Sequence, residues 1–332
     1  MPGVAQEGVE VTASAAVNVS PSLLADVLTC ETKGWTRHVK GYTSQGESIK
    51  AVAGQGFHAG IAEFFHPAQA AVDNNAQGRA LRAFHALYDP AFAACSADRL
   101  PDAAYTPANL HRVLARWLEM HPPSVLPWRS VVSVETAFVS REWQIGETTV
   151  RLIVRPDLIV EDADGRVRWV DTKTTGWHIG DPGWKKALRL SMQAALYTDA
   201  VVQRYGDRAW LGGWFSAIEM RTLPSDPTRK CQTHKLPYAE CGNEHAKFEF
   251  IEAPQTPERI TRALADARGG AARFVEMLGG ETDVATLDMR GTAKGECRFC
   301  PASDWCEAQR VPEALPSFMH YEPWVVEEGV RA

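Results

Sequence analysis

The chain has 332 residues, of which 45% are hydrophobic and 23% charged, with a formal net charge of −6 and seven cysteines. That length buries a full core, as one large domain or two small ones, and the net negative charge excludes a surface coated throughout by nucleic acid while leaving room for a local basic groove. No apolar run reaches the ~18 residues of a membrane span, and the first residues lack a basic start followed by an apolar stretch, so neither a secretory leader nor a membrane anchor is expected and the expected setting is cytoplasmic.

Residues 1–20 are small and polar and read as a loose N-terminus. SPSLLADVLTC follows as a short helix, capped by Ser20 with Pro21 in its first position, and runs into Cys30. Helical periods recur at 54–66, 76–88 and 107–119, the last opening with Thr106 and Pro107. The period then changes to two: SVVSVETAFVS, TTVRLIVRPDLIVE and RVRWVDTKT each alternate as strands, and the DADG of 162–165 closes the last two into a hairpin. A helical period returns over 185–205, RAWLGGWFSAIEM reads as another strand, and 257–278 as a long helix. Helices, a mixed sheet and a crossover helix predict an α/β core with helical additions.

Within the predicted hairpin, Asp157 interrupts one strand, while Asp171 and Lys173 lie two apart on the next and share a face. Pairing around the turn sets Asp157 opposite them, with Glu135 on the preceding strand able to join. Alternating charge on a wet strand would explain a lone D-x-K. Here the aspartates break runs of Val, Leu, Ile and Trp, where unpaired charge is costly. Carboxylate oxygens converging on one space suit Mg²⁺ or Mn²⁺, and a lysine beside such an ion can orient water or stabilise charge, as phosphodiester hydrolysis requires. On the helix that follows, Lys185, Arg189, Gln193 and Tyr197 repeat every four residues on one expected face, with Lys186 adding charge. Such a face would present cations to phosphates, and an amide and a phenol to the strand being cut. A solvated helix surface accounts equally well for the cations alone.

Near the C-terminus, CRFCPASDWC gathers Cys297, Cys300 and Cys306 within ten residues. Three thiolates from one loop need a fourth ligand, and no second C-x-x-C or His pair follows. Cys30, at the end of the first helix, is the best candidate. Zinc and an iron–sulfur cluster are both open on this pattern. Cys95, Cys231 and Cys241 read as ordinary thiols, the last two a weak second pair.

In order along the chain, His58 in GQGFHAG, Glu135 in VETAF, Asp157 in RPDLI, Asp171 and Lys173 in VDTKTT, and Gln193 and Tyr197 in QAALY resemble the motifs of the PD-(D/E)xK nucleases, in particular the RecB-like branch. The resemblance covers about residues 22–306. It implies a restriction-endonuclease-like fold, with a central mixed β-sheet flanked by helices. It further implies metal ligation by His58, Asp157, Asp171 and the Thr172 carbonyl, catalysis through Lys173, and support from Glu135, Gln193 and Tyr197. The family often places an acid four residues after its histidine; position 62 here is Ala, and Glu63 follows one later. One early and three late cysteines resemble the cluster-bearing members, implying a [4Fe–4S] cluster on Cys30, Cys297, Cys300 and Cys306.

The expected organisation is a single nuclease domain over 21–310, with a helical part (21–120), a catalytic core (130–220), a C-terminal helix and cluster-binding segment (256–310), and a tail over 311–332. The expected activity is metal-dependent cleavage of DNA ends or single strands in recombination, repair or CRISPR adaptation, with a protein partner from such a complex. No G-x-x-x-x-G-K-[ST] motor motif is present. A non-catalytic DNA-binding iron–sulfur scaffold and a zinc-stabilised interaction protein are the alternatives.

Overall fold

The computed structural model describes residues 16–44, 49–66, 75–95, 103–176, 178–220, 230, 235, 237, 247–279, 282, 286–287, 297, 300, 302–307, 310, 313 and 315–321. In chain order, β1 (Val17–Val19) leads into α1 (Pro21–Thr29), α2 (Glu31–Gly34) with a π turn over Trp35–Val39, and β2 (Tyr42–Ser44). Three helices follow: α3 (Ile49–Phe65), α4 (Ala76–Ala94) and α5 (Pro107–Met120). Then come β3 (Ser130–Val134), β4 (Phe138–Ile145), β5 (Thr148–Val154), β6 (Leu158–Glu161) and β7 (Val167–Thr175). The crossover is α6 (Pro182–Arg189) and α7 (Met192–Tyr205), followed by β8 (Ala209–Glu219), β9 (Lys247–Pro254) and α8 (Pro257–Gly279). Short α9 (Ser303–Glu307), α10 (Leu315–Phe318) and β10 (Met319–Tyr321) complete the described elements. The chain divides into two units, one from Met1–Thr43, Phe138–Val154 and Leu264–Ala332, the other from Ser44–Ala137 and Arg155–Ala263.

The second unit carries the expected α/β architecture. Its mixed sheet has the order β3-β6-β7-β8-β9, and only β7 and β8 run parallel. A parallel neighbour needs a crossover, and α6 and α7 supply it. The hairpin is as expected: Glu161 pairs with Val167 across the 162–165 turn, where Gly165 takes φ 78. Trp169, fully buried on β7, donates its indole N–H to Thr198 Oγ1 on α7 at 2.9 Å, locking helix to sheet. Helices α3, α4 and α5 bury a shared core that includes Phe57, Phe84, Leu114 and Trp117. A Cβ at Gly60 would meet Leu114 Cδ2 at 2.9 Å and the Ala80 carbonyl at 3.0 Å, so glycine is what lets α3 approach so closely.

The first unit holds a three-stranded sheet, β1-β5-β4, and the cysteine segment. Ser20 caps α1 as expected, its Oγ accepting from Leu23 N at 3.2 Å.

Three expected elements are broken in two. SVVSVETAFVS splits because β3 pairs with β6 and β4 with β5. Glu135, at the break, takes φ 47, outside any strand conformation. TTVRLIVRPDLIVE splits into β5 and β6 at Arg155-Pro156, where proline has no N–H to continue a ladder, so Asp157 stands between strands and not inside one. The 185–205 helix splits because Ser191 starts a new one, its Oγ accepting from Ala194 N at 3.2 Å. The face of Lys185, Arg189, Gln193 and Tyr197 is therefore not continuous. Helix α4 instead outruns its expected end at 88, passing through Pro90 to Ala94.

Candidate metal centre and active site

The candidate centre lies in the second unit, where α3, the two strand breaks and β7 meet. The register sets Leu158 against Val170, which brings Asp157 to the level of Asp171. Asp157 Oδ2 accepts from Thr172 N at 2.5 Å, and Oδ1 accepts from His58 Nδ1 at 2.9 Å. Glu135 reaches the same place because its N–H donates to the Asp157 carbonyl at 2.8 Å, fastening one strand break to the other. A ligand atom from each of His58, Glu135 and Asp157 lies within 4.8 Å of the others. Imidazole with two carboxylates is a donor set for a divalent cation.

Asp171 and Lys173 stand beside this group. Lys173 Nζ lies 2.6 Å from Asp171 Oδ2 and 5.8 Å above the Phe215 ring, whose residue pairs with Asp171 across β7 and β8. Gln193 Nε2 donates to Tyr197 Oη at 2.9 Å and lies 3.4 Å from Asp171 Oδ1. Tyr197 Oη donates in turn to the Arg155 carbonyl at 3.2 Å, so the phenol holds the backbone two residues before Asp157.

The charges are strongly coupled. Burial lowers the pKa of His58, but the charge of Asp157 and its hydrogen bond outweigh it and raise the imidazole to about 9. For Asp157, burial is outweighed by the His58 charge and by hydrogen bonds from His58 and Thr172, and its pKa falls. Burial raises Asp171, aided by the charge of Asp157 and opposed by Lys173. Lys173 would be lowered by burial, yet Asp171 raises it, so it stays charged. Burial and Asp157 together raise Glu135.

One neighbour of the centre went unnoticed in the sequence. Arg155 Nε lies 3.4 Å from Glu135 Oε2, with the guanidinium about half exposed at the rim of the centre. The signal was a basic residue two positions before the aspartate. Other cations are placed elsewhere. Lys185 Nζ meets both Glu249 oxygens at 2.5 and 2.6 Å, Arg189 Nε donates to the Glu252 carbonyl at 3.0 Å, and Lys186 is exposed. These bonds tie α6 to β9. Glu63 is ion-paired with Arg79 at 3.2 Å.

In the first unit, Cys30 and Cys297 act on the thiols of Cys300 and Cys306. Burial raises the pKa of Cys306 to about 11, with Cys300, Cys30 and Cys297 adding to it, and burial also raises Cys300. Trp305, next to Cys306, stacks on Trp35 of the π turn after Cys30, with centroids 6.1 Å apart and planes at 12°. Arg273 of α8 pairs with Glu31 at 2.8 and 2.9 Å, reinforcing the same junction. Cys231 and Cys241 lie outside the described residues.

The family model described as the PD-(D/E)XK nuclease superfamily matches residues 18–307. Among solved structures, the chain is similar to a candidate exonuclease from Eubacterium rectale, at 11% identity and a TM-score of 0.45, over 87% of this chain and 90% of that one. It is also similar to the protein SSO0001, at 16% identity and a TM-score of 0.30, over 78% and 94%. No curated protein matches the sequence.

Proposed function

We propose a function from one premise: the chain belongs to the PD-(D/E)XK nuclease superfamily. Its activity is divalent-metal-dependent hydrolysis of DNA phosphodiester bonds, acting from ends or on single strands as an exonuclease. The observation that carries this reading is the convergence of His58, Glu135 and Asp157 within 4.8 Å, beside the buried pair of Asp171 and Lys173. His58, Glu135 and Asp157 would hold Mg²⁺ or Mn²⁺, with Asp171 and the Thr172 carbonyl completing the set that the family motifs imply. The bound ion would supply a Lewis-acid contact to the phosphate and a more acidic water.

The rest is the work of the side chains. Lys173, kept charged by Asp171, can donate to an attacking water or to a phosphate oxygen but cannot take a proton; it orients and neutralises. Asp157 is held ionised, with its oxygens fixed by a backbone N–H and an imidazole, which places a ligand with little left to reorganise. Tyr197, through the Arg155 carbonyl, fixes the strand break on which Asp157 depends.

We read the four thiols as ligands of a [4Fe–4S] cluster; what supports this is that Cys300, Cys30 and Cys297 all act electrostatically on Cys306, whose neighbour Trp305 stacks on Trp35. The cluster's place is structural, in the unit that does not hold the nuclease residues. The substrate belongs to DNA recombination, repair or CRISPR adaptation, with a protein partner from the same process.

The test is cleavage of end-labelled single- and double-stranded DNA with Mg²⁺ or Mn²⁺ and with chelator. Metal-dependent shortening from an end supports the reading. A protein that binds DNA and never cuts it, with Asp157, Asp171 and Lys173 intact, would favour the non-catalytic scaffold.

A further inference from the structure

Away from the nuclease centre, α4 and α5 bring two imidazoles together. His85 Nε2 faces His111 Nδ1 at 2.7 Å, and His85 Nδ1 lies 3.0 and 3.1 Å from the two oxygens of Asp89, one turn further along α4. The carboxylate fixes the tautomer: Nδ1–H of His85 donates to Asp89, so Nε2 presents its lone pair outward. A histidine whose far nitrogen is anchored by a carboxylate is the arrangement that usually supports a metal-bound imidazole. Burial, followed by the neighbouring His85, keeps His111 below the usual histidine pKa, which favours its neutral, metal-binding form.

We infer that His85 and His111, oriented by Asp89, form a second metal site, specific for a borderline transition-metal ion such as Zn²⁺, which clips α4 to α5. Two imidazoles with one carboxylate behind them suit zinc, copper or nickel and do not suit Mg²⁺, which prefers oxygen. In the metal-free protein the two facing nitrogens share the His111 Nδ1 proton. When the ion binds, that proton moves to His111 Nε2, and the rings separate from 2.7 Å to about 3.3 Å, the spacing of two nitrogens bound tetrahedrally at about 2.0–2.1 Å. His85 is about a third exposed, so water can complete the coordination.

The clip bears on the fold around the nuclease residues without touching them. Phe84, adjacent to His85 and edge-on to its ring at 5.1 Å, is also the side chain that a Cβ at Gly56 of α3 would strike at 2.9 Å. Helix α3 carries His58. Zinc at the clip would therefore stabilise the helical layer that supports that ligand.

The experiment is thermal unfolding of the full chain at neutral pH without other divalent ions, with and without Zn²⁺, comparing wild type with His85→Ala, His111→Ala and His58→Ala. With zinc at roughly a hundred times its dissociation constant, the midpoint should rise by a few degrees in wild type and in His58→Ala. In His85→Ala and His111→Ala that clip-dependent part of the rise should disappear. Calorimetric titration with Zn²⁺ counts sites independently: one fewer equivalent is expected in His111→Ala than in wild type. An unchanged zinc stoichiometry in His111→Ala overturns the site, as does a zinc-induced rise lost in His58→Ala and kept in His111→Ala. Because the nuclease ligands are intact in both clip variants, a protein that never cuts DNA leaves this result readable.

Discussion

Lys173 keeps its proton because Asp171 lies 2.6 Å away, although burial alone would remove it. Without the ammonium, Asp171 becomes a buried carboxylate with its nearest countercharge gone, and such a group takes up a proton in preference to staying charged. Lys173→Ala should therefore lose cleavage by about a hundredfold or more while far-UV circular dichroism shows a folded protein. Near-wild-type rates in that variant would remove Lys173 from the chemistry. His58 makes a second, pH-dependent prediction. Its folded pKa, about 9, lies above its ordinary 6.5, so its proton stabilises the metal-free protein fully below pH 6.5, and that contribution is lost as pH rises through 9. A metal ion must displace the same proton, so apparent Mn²⁺ affinity should tighten by up to about tenfold between pH 7 and pH 8. In His58→Gln that slope should flatten, as read by calorimetry at the two pH values.

Between elements, single hydrogen bonds and ion pairs decide how the site is held. Tyr197 is a positioning residue: its hydroxyl holds the Arg155 carbonyl, and its ring packs edge-on against Trp169 at 5.8 Å. Tyr197→Phe keeps the ring and deletes the hydrogen bond. It should cost about 1 kcal/mol of stability and weaken Mn²⁺ binding, because the strand break carrying Asp157 is released. Unchanged affinity and stability would show that the carbonyl needs no such anchor. On α6 the two lysines should behave differently. Lys185 is held by Glu249, an ion pair worth under about 1 kcal/mol, whereas Lys186 is exposed. Lys186→Ala should therefore flatten the salt dependence of DNA binding more than Lys185→Ala does, by up to about one unit of log–log slope for each phosphate left without its cation.

At the scale of the whole molecule, the proposed cluster would join segments at opposite ends of the sequence. Cys30 and Cys297 are separated by most of the chain, so a cluster bound through them would close a long loop and constrain the unfolded state accordingly. Purified without oxygen, the protein should be brown with about four irons per chain. Cys30→Ala should lose as much iron and solubility as Cys300→Ala, while Cys95→Ala should lose neither. Full iron content in Cys30→Ala would place the fourth ligand elsewhere. The stack of Trp35 on Trp305 and the pair of Arg273 with Glu31 act on the same junction, so some residual order should survive loss of the thiols.

The order of the chemistry-bearing residues and most of the element types were legible in the amino-acid chain alone. Period-two alternation marked the hairpin, Ser20 and Pro21 marked the start of α1, and the D-x-K spacing placed Asp171 and Lys173 on one face, because these are local effects of backbone period and capping. Which partner each strand takes after a break, and which groups converge, came only from long-range packing. Alternation could not show that β3 and β4 pair with different partners, nor that the break between them would turn Glu135 towards Asp157, because a strand's partner is set by residues distant in sequence. A four-residue repeat likewise could not show that Ser191 would end one helix face and start another, since a serine caps a helix only where the surrounding packing lets the chain turn.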